Sequence, residues 1–240
     1  LAEPAEILAA AEAAVAQYTP HSLDGLRVLV TAGGTREPLD AVRFLGNRSS
    51  GKQGHALAEA AAARGAAVTL VTTTALPVPA GVAVVRVETA AEMERAVLEA
   101  AGTADVVVMA AAVADFRPKA PAGHKLKKAD GVPDVVLEPT TDILAALGRA
   151  KRPGQVLVGF AAETSDAELV AAATEKLRAK HLDLVVANDV SAPDAGFDAD
   201  TNRVVLVTAD GSEQTVPLSD KRAVARAVLD AVAHLARRPA

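Results

Sequence analysis

The chain has 240 residues, half of them apolar but only 2% aromatic, a formal net charge of −5 and no cysteine. That length supports a full core in one large domain or two small ones, and with so few rings the core has to be Ala, Val and Leu. The acidic balance argues against a general nucleic-acid or membrane-surface binder, and the lack of thiols excludes a disulfide framework, a thiolate metal site and a cysteine nucleophile.

In chain order, residues 5–18 read as a helix, which Pro20 and Gly25 separate from the first strand. Residues 1–25 are therefore expected to be a linker outside the main sheet, with the domain proper at 26–240. The first residue is Leu1 rather than Met, which suggests a piece of a longer polypeptide. Alternating elements come next: strand 27–31, helix 52–64, strands 67–72 and 82–87, helix 90–101, strand 105–110, helix 141–150, strand 155–160, helix 166–180 and strand 183–187. Val106-Val-Val-Met109, Val156-Leu-Val-Gly-Phe160 and Leu184-Val-Val-Ala187 lack polar alternation, as parallel strands covered on both faces do. The expectation is α/β: a doubly wound, Rossmann-like, mostly parallel sheet with helices on both faces. Residues 203–217 read as a hairpin around an Asp-Gly turn, and 219–236 as a closing helix. No apolar run reaches the roughly 18 residues of a membrane span and no signal peptide is recognisable, so a cytoplasmic location is expected.

The richest stretch is Thr31-Ala-Gly-Gly-Thr-Arg-Glu-Pro-Leu-Asp40, followed by Asn47-Arg-Ser-Ser-Gly-Lys-Gln-Gly54. A strand, a glycine-containing loop and a helix start bring free backbone N–H groups and a positive helix end to one place, which makes an anion site. Neither G-x-G-x-x-G nor G-x-x-x-x-G-K-[ST] is present, and the connection is longer than such loops usually are. A nicotinamide dehydrogenase would also need an acid after its second strand, and that strand ends in Val71-Thr-Thr-Thr74. Two further loops, 111–140 and 188–202, follow strand C-termini, where open α/β sheets place their ligands.

Each residue that stands out has a bland reading as well. Asp115, after a run of small residues, is a loop cap or a nucleotide or Mg²⁺ contact. Lys125, Lys127 and Lys128 are a solvated run or a flexible lysine loop suited to a polyphosphate. Lys176 and Lys180 share one helix face, which alone means only solubility. Asn47 makes a local turn, or holds a carboxylate or a developing oxyanion with an amide that both donates and accepts. His21, His55, His124, His181 and His234 lack metal spacing and read as structural or solvated.

The ordered set resembles the phosphopantothenoylcysteine synthetase family, in bacteria usually the C-terminal half of a bifunctional protein. Four blocks carry the resemblance over roughly residues 26–236: the opening motif through Lys52, Ala111-Ala-Val-Ala-Asp-Phe116, Lys125-Leu-Lys-Lys128, and Gly159-Phe-Ala-Ala-Glu-Thr164 with Ala187-Asn-Asp-Val190. The resemblance implies a ligase that joins 4′-phosphopantothenate to L-cysteine with CTP as co-substrate and Mg²⁺, through an acyl-cytidylate. It implies Asn47 and Lys125 as catalytic residues. Ser49, Ser50, Gly51, Met109, Ala110, Ala111, Asp115, Lys125, Phe160, Lys176 and Lys180 would bind the nucleotide, with Asp115 also toward Mg²⁺. It further implies a homodimer using the 203–217 hairpin, and a fused flavin-dependent decarboxylase half that would hold FMN. The ordered motifs resemble bacterial, CTP-using members. A non-catalytic nucleotide-binding module of the same fold is the competing reading, against which stands the joint presence of Asn47 and Lys125.

Overall fold

The computed structural model describes residues 21–163, 169–189 and 200–237. The helix expected at 5–18, the start of the one expected from 166, and residues 190–199 of the loop 188–202 lie outside the described residues. β1 (Arg27–Ala32) is followed by a small hairpin, β2 (Arg36–Pro38) and β3 (Phe44–Gly46), then α1 (Lys52–Ala62), β4 (Ala67–Thr72), β5 (Val82–Arg86), α2 (Ala90–Ala101) and β6 (Val106–Met109). A second small hairpin, β7 (Phe116–Pro118) and β8 (Leu137–Pro139), leads to α3 (Ile143–Arg149), β9 (Val156–Glu163), α4 (Leu169–Ala179), β10 (Leu184–Asp189), β11 (Thr201–Thr208), β12 (Glu213–Asp220) and α5 (Lys221–Ala236).

The main sheet has eight strands in the order β12-β11-β10-β9-β6-β1-β4-β5. From β10 to β5 every pairing is parallel, and β11 and β12 run antiparallel at one edge. The expected α/β, doubly wound class is what is found. Strand parity explains how it packs, because successive side chains leave opposite faces. Val28, Val30, Val106, Val108, Val156 and Val158 join Leu57, Val224, Val228 and Leu229 of α1 and α5 in one core. Leu29, Val107 and Leu157 join Met93, Val97, Leu147 and Leu177 of α2, α3 and α4 in the other. Both faces are thus buried, which is why those strands read as unbroken apolar runs.

Helix starts follow local signals. Thr89 and Glu92 form a capping box on α2, Asp142 caps α3 and Asp220 caps α5. Gly54 lets α1 lie against β1, since a Cβ there would fall 2.5 Å from that of Ala32. Leu23, in the stretch expected to end the linker, is fully buried in the first core. Among the described residues no helix is long and apolar enough to cross a membrane.

Sheet order places the site. From β1 the chain winds to β4 and β5 on one side, then crosses to β6, β9 and β10 on the other. The loops after β1 and β6 therefore diverge and leave a crevice at the carboxyl ends of adjacent strands. Both loops differ from the irregular segments expected at 32–51 and 111–140. Each contains a two-stranded hairpin with three residues per strand, too short to leave a periodic signal in the sequence.

Candidate active site

A cleft of about 380 Å³ opens at this switch point. One wall is the start of α1. Gly51, its N-cap, has φ 75° and makes no side-chain cap bond, and no acidic residue occupies the first turn. A side chain at 51 would be strained by that φ and would meet the Thr74 methyl at 2.6 Å. The positive helix end lining the cleft is therefore unneutralised by the helix's own side chains, a setting that favours an anion.

The floor is the backbone after β6, held against the loop after β1. Thr31 Oγ1 accepts from the Ala111 N–H at 3.0 Å, and the buried Thr35 Oγ1 accepts from the Ala114 N–H at 2.9 Å. Ala112 N–H donates to Gly33 O at 2.8 Å and Thr35 N–H to Ala112 O at 3.3 Å. Thr140 closes the far side, donating its hydroxyl to Ala114 O at 2.6 Å. These bonds fix the direction of the peptide groups at 110–115, which a base or ribose lying on that backbone would need.

Asn47 hangs over the same floor and donates its Nδ2 to Val113 O at 3.0 Å. On the α4 side, Lys176 Nζ donates to Phe160 O at 2.6 Å, and Lys180 Nζ pairs with Asp142 at 2.7 Å. Partial burial pushes the Asp142 carboxyl up, but the Lys180 bond, the Ala145 N–H and the charge of Lys176 outweigh it, so it lies below the usual carboxylate range. His55, one turn into α1, is buried with Nε2 at 3.0 Å from Thr74 Oγ1, and burial lowers its proton affinity. That matches its reading as structural.

Asn47, Ser49, Ser50, Gly51, Met109, Ala110, Ala111, Asp115, Phe160, Lys176 and Lys180 all line this one cleft. Lys125 does not: it is exposed on the loop between β7 and β8. The cleft also has residues that sequence reasoning passed over. Thr140, Thr141 and Asp142 were legible as a helix-cap run, but Gln53, Asn202 and Lys221 were not. Lys221 begins α5 and is only 8% exposed, whereas a lysine at a helix start reads as solvated. Gln53 Nε2 donates to Lys221 O at 3.1 Å, and the side-chain oxygens of Gln53 and Asn202 are buried without a hydrogen-bond partner. These side chains make the cleft's other end polar.

The class of protein is set by this fold and by the family it matches. Residues 23–235 match the model of the DNA/pantothenate metabolism flavoprotein C-terminal domain, and the chain belongs to that family. Among particular relatives, it is 47% identical over 239 residues to the coenzyme A biosynthesis bifunctional protein CoaBC of Bacillus subtilis, covering 99% of this chain and 58% of that protein. It is 49% identical over 223 residues to the CoaBC protein of Mycobacterium tuberculosis, covering 89% of this chain and 53% of that protein. The chain thus spans just over half the length of these relatives. The crystal structure of a C-terminal domain of CoaBC superposes with a TM-score of 0.75 at 41% identity, covering 90% of this chain and 97% of that one. The resemblance read from the four sequence blocks is borne out.

Proposed function

We propose that this domain is the ligase that joins 4′-phosphopantothenate to L-cysteine at the expense of CTP. The observation that carries the reading is the convergence on one switch-point cleft of Asn47, Asp115, Lys176, Lys180 and the open start of α1. In the first half-reaction the carboxylate of phosphopantothenate attacks the α-phosphorus of CTP and pyrophosphate leaves. In the second, the cysteine amine attacks the acyl carbon, CMP leaves, and the amine loses a proton as the amide forms. Neither step needs a protein nucleophile. Both need positioning and neutralisation of phosphate charge, which a helix N-terminus and lysines supply.

In this reading the N–H groups at the start of α1, with Ser49 and Ser50, receive the phosphates. The fixed backbone at Met109–Ala111 meets the base, and Phe160, Lys176 and Lys180 line the nucleotide's other side. Asn47, already oriented by Val113 O, is the amide that serves the acyl-cytidylate. Lys125 arrives on its loop. Among the described residues no group of three or more histidines, aspartates and glutamates is placed to cage a metal. Asp115, which lines the cleft, would be the carboxylate partner of a Mg²⁺ carried on the triphosphate, and the ion would neutralise phosphate charge. We extend the proposal to a homodimer through the β11–β12 hairpin, whose outer strand β12 is one of the two edges of the sheet, and to a fused flavin-dependent decarboxylase in the full polypeptide. Light scattering on the domain tests the dimer.

The decisive experiment measures pyrophosphate release from CTP with and without phosphopantothenate, then product mass after adding cysteine. Release that depends on phosphopantothenate, with CTP preferred over ATP by roughly 10²-fold or more in kcat/KM, is expected if fixed backbone groups read the base. Nucleotide binding with no release under any condition would mark a module that binds without turnover.

A further inference from the structure

Asp40 belongs to the opening motif but does not line the cleft. It lies in the turn between β2 and β3, and its carboxylate is fully buried. Oδ1 accepts the N–H groups of Val42 and Arg43, both at 2.8 Å, which is an ordinary local turn. Oδ2 does something a turn does not need. It accepts Arg43 Nε at 2.9 Å and Nη2 at 2.5 Å, and also the N–H of Leu126 at 3.1 Å, from a loop 86 residues away. Arg43 Nη2 in turn donates to Leu126 O at 3.2 Å, so both peptide groups flanking Leu126 are held. A third bond, Ala122 N–H to Leu39 O at 3.0 Å, fastens the same loop further back.

Leu126 sits between Lys125 and Lys127, and all three lysines of the run are exposed. The loop is thus gripped at its middle by backbone while its cationic side chains stay in solvent. Bonds to an ionised, buried acceptor are the strong kind, and the Arg43 guanidinium holds the Asp40 carboxyl well below the usual carboxylate range.

We propose that Asp40, with Arg43, is a latch that positions the lysine loop by its backbone at Leu126, fixing where Lys125 starts its reach toward the cleft. The inference rests on the ligase reading for the role of Lys125, and on geometry alone for the grip.

Asp40→Asn tests it in the whole chain. The swap keeps one oxygen for the local turn and sets an NH₂ donor against the donors of Arg43 and Leu126. Leu126→Pro is the second variant: it deletes the loop's donor and leaves the Asp40–Arg43 pair intact, covering the case in which Asp40→Asn disturbs the hairpin. Limited trypsin digestion mapped by mass spectrometry reads the grip, with cleavage after Lys52 as the internal reference. Cleavage after Lys127 and Lys128 is expected to quicken on the order of 10-fold in both variants, the scale of losing one charge-assisted hydrogen bond, and cleavage after Lys125 likewise in Asp40→Asn, since trypsin does not cut before the proline of Leu126→Pro. Turnover per CTP-binding site, with sites counted by calorimetry, should fall by a similar factor while KM for CTP stays within about two-fold; unfolding alone would lower the number of sites and not the turnover of each. Unchanged digestion in both variants overturns the latch, and faster digestion with unchanged kcat overturns its positioning role. Failure of the ligase reading is read separately, as no phosphopantothenate-dependent pyrophosphate release by the wild-type chain with the digestion result still standing.

Discussion

The loop after β1 lines the crevice and the loop between β7 and β8 is fastened to it, and the two are held in different ways. The first is braced by its own buried polar side chains. Thr35, Glu37 and Asp40 are 0%, 2% and 4% exposed, and each bonds to another part of the chain: Ala114 N–H, Ala90 N–H at the start of α2, and Leu126 N–H. The second keeps its charged side chains in water and is fastened through its backbone, chiefly to the first. One loop is a frame and the other is hung from it. A preorganised frame suits recognition, because it loses little order when a ligand binds. A tethered cationic strap suits a step in which charge develops and departs. Damage to the frame's exposed amide should therefore alter chemistry at a fixed place, while damage to the strap should slow turnover and spare binding.

The largest effect is expected at Asn47. Asp at this position would set a carboxylate against Val113 O, where Asn47 Nδ2 now donates at 3.0 Å, and would oppose a developing oxyanion. Asn47→Asp nearly conserves volume, so the fold should survive. Transfer of the acyl group to cysteine should fall by roughly 10²–10³-fold, the scale of losing one oxyanion donor, with formation of acyl-cytidylate less affected. Rapid quench with radiolabelled CTP followed by mass spectrometry would show the intermediate accumulating. If the first step is equally lost, Asn47 organises the whole site and the frame does not divide its work between the two half-reactions.

Lys125→Ala tests the strap. Turnover should drop by roughly 10²-fold, as for one transition-state electrostatic contact, while the Kd for CTP by calorimetry changes much less. Equal losses in both would place Lys125 in the ground-state nucleotide site with Lys176 and Lys180, and the distinction between frame and strap would collapse.

Legibility in the sequence divides along the same line. The parallel strands could be read because burial on both faces removes polar alternation from Val106–Met109 and Leu184–Ala187, and their carboxyl ends pointed to the right edge of the sheet. Which residues met there came from the resemblance, since Asn47, Phe160 and Lys180 lie far apart in sequence and share no local pattern. The frame was hidden. Glu37 and Asp40 have the composition of a solvated loop, and only tertiary contacts turn them into buried struts. Lys221 escaped for the same reason: nothing local distinguishes a lysine that opens a surface helix from one folded into the cleft. Hairpins with strands as short as Arg36–Pro38 and Phe116–Pro118 carry no periodicity to detect.

The smallest effect concerns the ion pair on the α4 wall, beside the frame, and it separates charge from capping there. Asp142 Oδ1 caps α3 through the Ala145 N–H at 2.9 Å, while Oδ2 meets Lys180 at 2.7 Å. Asn is as good a cap as Asp, so Asp142→Asn should cost less than about 1 kcal/mol at neutral pH, the range for a half-exposed pair. Asp142→Ala removes the cap too and should cost about 1 kcal/mol more. The pH dependence fixes the assignment. The Asp142 carboxyl lies below the usual range in the folded chain, so the unfolded state takes up its proton first as pH falls. The stability it contributes is therefore complete above the ordinary carboxylate pKa of about 3.9 and is lost as pH drops through the lower folded value. Urea melts of wild type and Asp142→Asn should differ at pH 7 and converge in acid, whereas the gap between Asp142→Asn and Asp142→Ala, which is only a cap, should not move with pH. A gap between wild type and Asp142→Asn that stays constant into acid would mean the Lys180 pair contributes nothing to folding, leaving Lys180 free to be counted wholly toward the nucleotide.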